Sequence, residues 1–224
     1  MFRLFVLAGL AMTMLGSSPS SAQDAKFFTA IYIEAGPILA RTAASALRTF
    51  RAEARNDPGV VSLELLQRID RPNQFVLLGA WTDQKTFESH FETLHAKKLG
   101  DKIGTMLAAP SDMRQHNPLS VAPSRTEPSA LYVVTHVDVV PPQKDNAMAE
   151  LKLLAEESRK QTGNLRFDVW QQANRPNHFT VIEAWSNRGA FDLHQMQRPT
   201  KEFRGKLVTM TGALYDERLY NPLP

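Results

Sequence analysis

Arg71-Pro72-Asn73-Gln74-Phe75, followed by Ala80-Trp81, returns as Arg175-Pro176-Asn177-His178-Phe179, followed by Ala184-Trp185. The offset of 104 residues also carries Phe87 onto Phe191, His90 onto His194, and Asn117-Pro118-Leu119 onto Asn221-Pro222-Leu223. Upstream it carries Gly59 onto Gly163 and Pro37 onto Pro141, with no gap needed between Pro37 and Leu119. A register held over roughly eighty residues is the mark of a duplicated unit, here about 95 residues long.

Around that core the chain divides into residues 27–119, a linker at 120–129 and a second repeat at 130–223. The linker contains Pro123, Ser124 and Pro128, a composition suited to a short connection. Residues 1–22 stand outside the repeats. Arg3 precedes an apolar run from Leu4 to Leu15, and Ser20-Ser21-Ala22 fits the small-x-small rule for signal peptidase. The run is short for a membrane span, so a signal cleaved after Ala22 and a periplasmic or secreted protein are expected.

Each repeat reads as β-α-β-β-α-β. Phe27 to Ile33 is an apolar, β-branched run that ends at Gly36-Pro37, a strand before a helix. Ala40 to Ala54 carries Ala44, Leu47 and Phe50 at helical spacing, and Asn56-Asp57-Pro58-Gly59 stops it. Val60 to Gln67 alternates, with Val61, Leu63 and Leu65 assigned to one side. A turn at 69–73 leads into a returning strand from Gln74 to Trp81. Thr82-Asp83 reads as a helix cap, with Phe87, His90, Phe91 and Leu94 on one helical face. A last strand is expected near Ser111 to Leu119. The fold class is therefore α+β: two ferredoxin-like repeats, each bearing helices on one sheet face, with the two bare faces packed together inside one polypeptide.

Composition narrows the function by exclusion. With 26 basic and 23 acidic residues the net charge is +3, no footprint for nucleic acid or anionic lipid. Zero cysteines remove disulfides, thiolate nucleophiles and thiolate zinc sites. No phosphate-binding loop, dinucleotide fingerprint or nucleophile elbow is present. His90 and His95 are five apart, about 140° around a continuous helix, so sharing a metal would need a break between them. A metal site is not expected.

Phe75 to Asp83 with Phe87 and His90, and Phe179 to Trp185 with Phe191 and His194, resemble the core motif of the antibiotic biosynthesis monooxygenase (ABM) domains. That motif is a strand ending in Glu-x-Trp, then a helix with a His nine residues after the Trp and often a second His five further on. The family belongs to the dimeric α/β barrel superfamily. The usual Glu is Gly79 in the first repeat and Glu183 in the second; the second His is His95 in the first and Pro199 in the second. The Asn used by antibiotic-pathway members falls at Leu77 and Val181, so neither repeat carries the full set.

The resemblance implies oxygenation of a quinol, phenol or anthrone by O2, with no flavin or metal. His90 and His194 are the candidate general bases, since imidazole titrates near neutrality and burial favours its proton-accepting form. Trp81 and Trp185, with Phe87 and Phe191, are candidates to bind the aromatic substrate, by stacking or by an indole N–H on a developing oxyanion. Tyr32 and His136 occupy matching places on the first strands and face either a cavity or the sheet–sheet seam, and Glu183 is a candidate buried acid. Each of these residues also fits a purely structural role, because a duplicated core position recurs as faithfully as a catalytic one. Two alternatives stay open: a non-catalytic module for a small aromatic ligand, and haem binding or degradation. Haem-degrading relatives use an Asn on the first strand, and Phe27 to Glu34 and Leu131 to Asp138 contain none. The expected partners are a small aromatic compound and O2. A monomer suffices to close the barrel, with a homodimer possible.

Overall fold

A computed structural model describes residues 25–125 and 127–224. The expected signal segment, residues 1–22, lies outside the described residues. The first repeat runs β1 (Phe27–Glu34), α1 (Ala40–Ala54), β2 (Val60–Arg68), β3 (Gln74–Trp81), α2 (Gln84–His90), α3 (Leu94–Gly104) and β4 (Asp112–Ser120). The second runs β5 (Leu131–Asp138), α4 (Lys144–Arg159), β6 (Asn164–Gln172), β7 (His178–Trp185), α5 (Arg188–Met196), α6 (Arg198–Leu207) and β8 (Asp216–Pro222). Among the described residues no helix is long and apolar enough to cross a membrane.

The eight strands close into one antiparallel barrel in the order β1-β3-β2-β8-β5-β7-β6-β4. The last strand of each repeat joins the halves. β4 pairs with its own β1 and with β6, while β8 pairs with its own β5 and with β2. Closure inside one chain removes the open sheet edges that isolated repeats would expose.

Alternation along the strands then sorts the side chains into three cores. Phe27, Ile33, Leu63, Leu65, Leu77 and Trp81 face the first repeat's helices, and Val133, Phe167, Val181 and Trp185 face the second's. Phe28, Ala30, Val76, Leu78, Tyr132, Trp170, Ile182 and Tyr220 fill the barrel. One face assignment from the sequence fails here. A bulge between Val60 and Ser62 shifts the pairing, so Val61 packs into the barrel with Leu66, not beneath the helices with Leu63 and Leu65.

The Arg-Pro-Asn triplets perform matching structural work. Asn73 Nδ2 donates to the Ala35 carbonyl at 2.9 Å and Asn177 Nδ2 to the Val139 carbonyl, pinning each hairpin turn to the end of its repeat's first strand. Gly59 and Gly163 adopt φ of +81° and +83°, and a Cβ at either would collide with the following helix at Thr86 or Ala190.

The expected long helix after β3 is two helices. Asp83 caps the first by accepting from Thr86 N at 2.7 Å. Thr93 caps the second, accepting from Ala96 N, while its own hydroxyl donates back to the His90 carbonyl at 2.6 Å. The break turns Phe91 and Leu94 toward solvent, away from the face that Phe87 and His90 share.

Candidate functional site

The two candidate histidines sit at matching places between the barrel wall and the helices. His90 is 6 % exposed, His194 3 %. Around His90 the Trp81 ring lies 5.0 Å away and the Phe50 ring 5.6 Å, with Phe87 packed on Trp81 at 5.2 Å. Around His194 the Trp185 ring stacks at 4.6 Å, with Phe167 at 5.8 Å and Phe191 at 6.3 Å. The structure therefore brings His90, Trp81 and Phe87 together in one repeat, and His194, Trp185, Phe191 and Glu183 in the other.

The polar groups serving the two rings differ. In the first repeat Asp57, from the turn between α1 and β2, places Oδ2 3.0 Å from His90 Nδ1 and 2.8 Å from His95 Nε2. Burial draws the His90 pKa down, and the Asp57 carboxylate partly offsets it. Trp81 Nε1 donates to Thr29 Oγ1 at 3.0 Å. Gly79 is required there, because a Cβ would lie 2.6 Å from both Thr29 Oγ1 and Trp81 Nε1.

In the second repeat the counterpart of Asp57 is Gln161, whose Oε1 lies 2.9 Å from His194 Nδ1. Trp185 Nε1 donates to Glu183 Oε2 at 2.8 Å, and the same oxygen lies 3.6 Å from His194 Nε2. That distance would admit an ion pair, but burial pushes the Glu183 carboxyl up to about 8 and pulls the His194 imidazole down to about 4. These shifts favour the uncharged form of both at neutral pH, with the charges of Arg204 and Glu217 nearby.

Access separates them further. A surface cleft of about 430 Å³, lined by Asp57, Pro58, Thr86, Ser89, His90 and Thr93, reaches the first repeat's pair. Glu183 is 3 % exposed, as enclosed as the His194 it faces.

Tyr32 and His136 are elsewhere. Both point into the barrel, on the opposite face of the wall from His90 and His194, with their rings 5.2 Å apart in an edge contact. Arg114 and Arg218 flank Tyr32 at 5.4 and 5.5 Å. His136 contacts Thr180, which also holds His116 at 2.9 Å, and burial takes these two imidazoles down to about 3 and about 4. The pair belongs to the seam between the repeats.

Sequence reasoning missed Asp57, Gln161 and Thr29. Asp57 lies in an Asn-Asp-Pro-Gly turn, where turn chemistry accounts for an Asp without further purpose. It also missed a network at the barrel's other end, where buried Arg166 pairs with Asp168 at 2.7 Å and with Glu64 of the first repeat, while Tyr132 donates to Glu64 at 2.9 Å.

An eight-stranded barrel closed by two βαββαβ units, with a Trp–His pair under the helices of each, defines the dimeric α/β barrel class. The profile of the antibiotic biosynthesis monooxygenase family matches residues 28–102 and again 130–206, so the chain belongs to that family as a tandem duplicate. The "Putative monooxygenase YcnE" of Bacillus subtilis (strain 168) is 26 % identical over 70 residues, 31 % of this chain and 70 % of that protein. A "Putative monooxygenase" of Fusobacterium nucleatum superposes with a TM-score of 0.80 at 14 % identity, covering 89 % of this chain and 93 % of that one. An "anthrone oxidase-like protein" superposes at 0.68 with 13 % identity, covering 90 % and 93 %. At these identities the two solved structures speak to the fold.

Proposed function

We propose that this protein is an exported, cofactor-independent monooxygenase that oxidises a quinol, phenol or anthrone-type aromatic with O2, and that the first repeat does the work. The observation that carries this is the Asp57–His90 pair beneath an aromatic wall, at the base of a cleft. The family relationship supports oxygenase chemistry; a fold neighbour described as anthrone oxidase-like suggests the substrate class.

Asp57 beside Nδ1 favours the tautomer with its proton there, leaving the lone pair on Nε2 as the base. For an anthrone, His90 takes one proton from the ring methylene. The resulting anion passes one electron to O2, and the radical pair combines into a carbon-bound peroxide. Loss of the second methylene proton with O–O cleavage leaves a ketone and releases the other oxygen as water. The substrate loses two hydrogens and gains one oxygen, so no flavin or metal is needed for balance. Trp81 and Phe87 supply the apolar wall that excludes water from the anion. Both ring nitrogens of His90 are covered, so substrate access needs a local rearrangement beside the cleft that Thr86, Ser89 and Thr93 line.

Export is supported by the apolar run from Leu4 to Leu15 and by Ser20-Ser21-Ala22, which fits the small-x-small rule for signal peptidase. The closed barrel supports action as a monomer, with a small aromatic and O2 as its partners.

Oxygen uptake by the purified, metal-stripped protein against a panel of hydroquinones and anthrones tests the reading. Uptake well above spontaneous autoxidation is expected for at least one class. Uptake no faster than buffer across the panel overturns it and favours a ligand-binding module.

A further inference from the structure

We propose that Asp57, His90 and His95 form a binding site for a divalent transition-metal ion. The three come from two places in the sequence. The break between α2 and α3 does what a continuous helix would forbid, bringing the two imidazoles to a centroid separation of 5.2 Å. Asp57 then enters from the α1–β2 turn, and the three ligand atoms all lie within 4.8 Å of one another. No other cluster of this kind occurs among the described residues.

A second observation points to a missing ligand. Asp57 Oδ2, His90 Nδ1 and His95 Nε2 are buried and close, yet none of these contacts has hydrogen-bond geometry, and each atom is left without a partner. His90 is more than nine-tenths buried among Phe50, Trp81 and Phe87. Buried polar atoms are rarely left unsatisfied, and three converging on one point call for a cation.

The donor set selects the ion. Two imidazole nitrogens and one carboxylate suit Zn²⁺, Fe²⁺ or Co²⁺ and are a poor cage for Mg²⁺ or Ca²⁺. Metal–ligand bonds of 2.0–2.2 Å at tetrahedral angles place ligand atoms about 3.4 Å apart, so the contacts need open by only about half an ångström. Three protein ligands leave further positions free, on the side of the cleft that Asp57 and His90 line. The second repeat cannot form the site: its residues are Gln161, His194 and Pro199. An ion on His90 Nδ1 forces the remaining ring proton onto Nε2 and removes the base, so occupation suppresses the metal-free reaction. Binding itself does not depend on the oxygenase reading.

Calorimetric titration of metal-stripped, untagged protein with Zn²⁺, Fe²⁺ under argon and Co²⁺ tests the site, with the visible absorption of bound Co²⁺ as a second readout. One ion per chain is expected, and the tightest of the three identifies the preferred metal. Losing an outer-shell partner of a metal site already weakens binding 10–100-fold, so His95→Ala and Asp57→Asn should weaken it by about 100-fold or more. His194→Ala should bind as the wild type does. His95 is part-exposed and Thr93 still caps the helix, so His95→Ala keeps the fold, which an unchanged melting curve verifies. Failure of all three ions to bind, or equal binding by the Asp57 and His95 variants, overturns the proposal, whatever the oxygen-uptake assay shows.

Discussion

The two helix-side pockets share a backbone plan, a Trp and a His, and differ in where the carboxylate comes from. In the first repeat it is Asp57 on a turn, with His95 beside it and the strand position emptied to Gly79. In the second it is Glu183 on the strand, the turn residue is the neutral Gln161, and Pro199 replaces the second His. At the strand position the difference is one of volume. Thr29 and Trp81 fill the space beside Gly79, whereas Glu183 occupies that space against Trp185. One pocket sets a carboxylate beside its imidazole at the edge of a cleft; the other encloses an acid that burial holds toward its neutral form. Duplication preserved the scaffold and let the chemistry diverge.

Forcing the first pocket toward the second should have the largest effect. Gly79→Glu drives a Cβ to within 2.6 Å of Thr29 and Trp81 and adds a buried acid, so a loss of about 3 kcal/mol or more in a urea titration is expected. No loss in that variant would show that the pockets are interchangeable.

Glu183→Gln isolates the second pocket through pH. The folded carboxyl, raised to about 8 from 4.5, holds its proton more tightly than the unfolded chain. Its contribution is complete below about 4.5 and is lost as pH rises through 8. His194, lowered to about 4 from 6.5, acts oppositely, and its contribution is lost as pH falls through 4. Between about 6.5 and 8 only the acid titrates differently, so the wild type should lose roughly 2 kcal/mol relative to Glu183→Gln. Parallel stability curves across that window would mean Glu183 is ionised in the fold.

Asp57→Asn keeps the shape of the turn and removes the charge behind His90. Oxygen-uptake rates should fall about tenfold or more, with the fold intact by circular dichroism. The smallest contrast is between the tryptophans. Trp81→Phe and Trp185→Phe each delete one buried hydrogen bond, worth about 1 kcal/mol. Trp185→Phe should cost more, because it leaves a buried acid without its donor.

Much of this was legible in the sequence. The offset of 104, the strand ends at Trp81 and Trp185, and the α1 boundaries followed from periodicity and turn residues, because local rules govern them. The face of Val61 did not, since a bulge changes parity without changing composition. The break after His90 was hidden because Thr93 reads as an ordinary helix residue until its hydroxyl is seen capping both ways. That break brings His95 to Asp57, so the most distinctive cluster of the first repeat depends on it.

On the proposed function the first repeat works and the second is structural. Oxygen uptake on the best substrate of the panel, with His90→Ala and His194→Ala measured side by side, tests it most directly. Removing a general base should cost His90→Ala about 10²–10⁴ in rate, while His194→Ala stays close to wild type. Equal losses in the two variants, or a loss confined to His194→Ala, would show that the work is not confined to the first repeat.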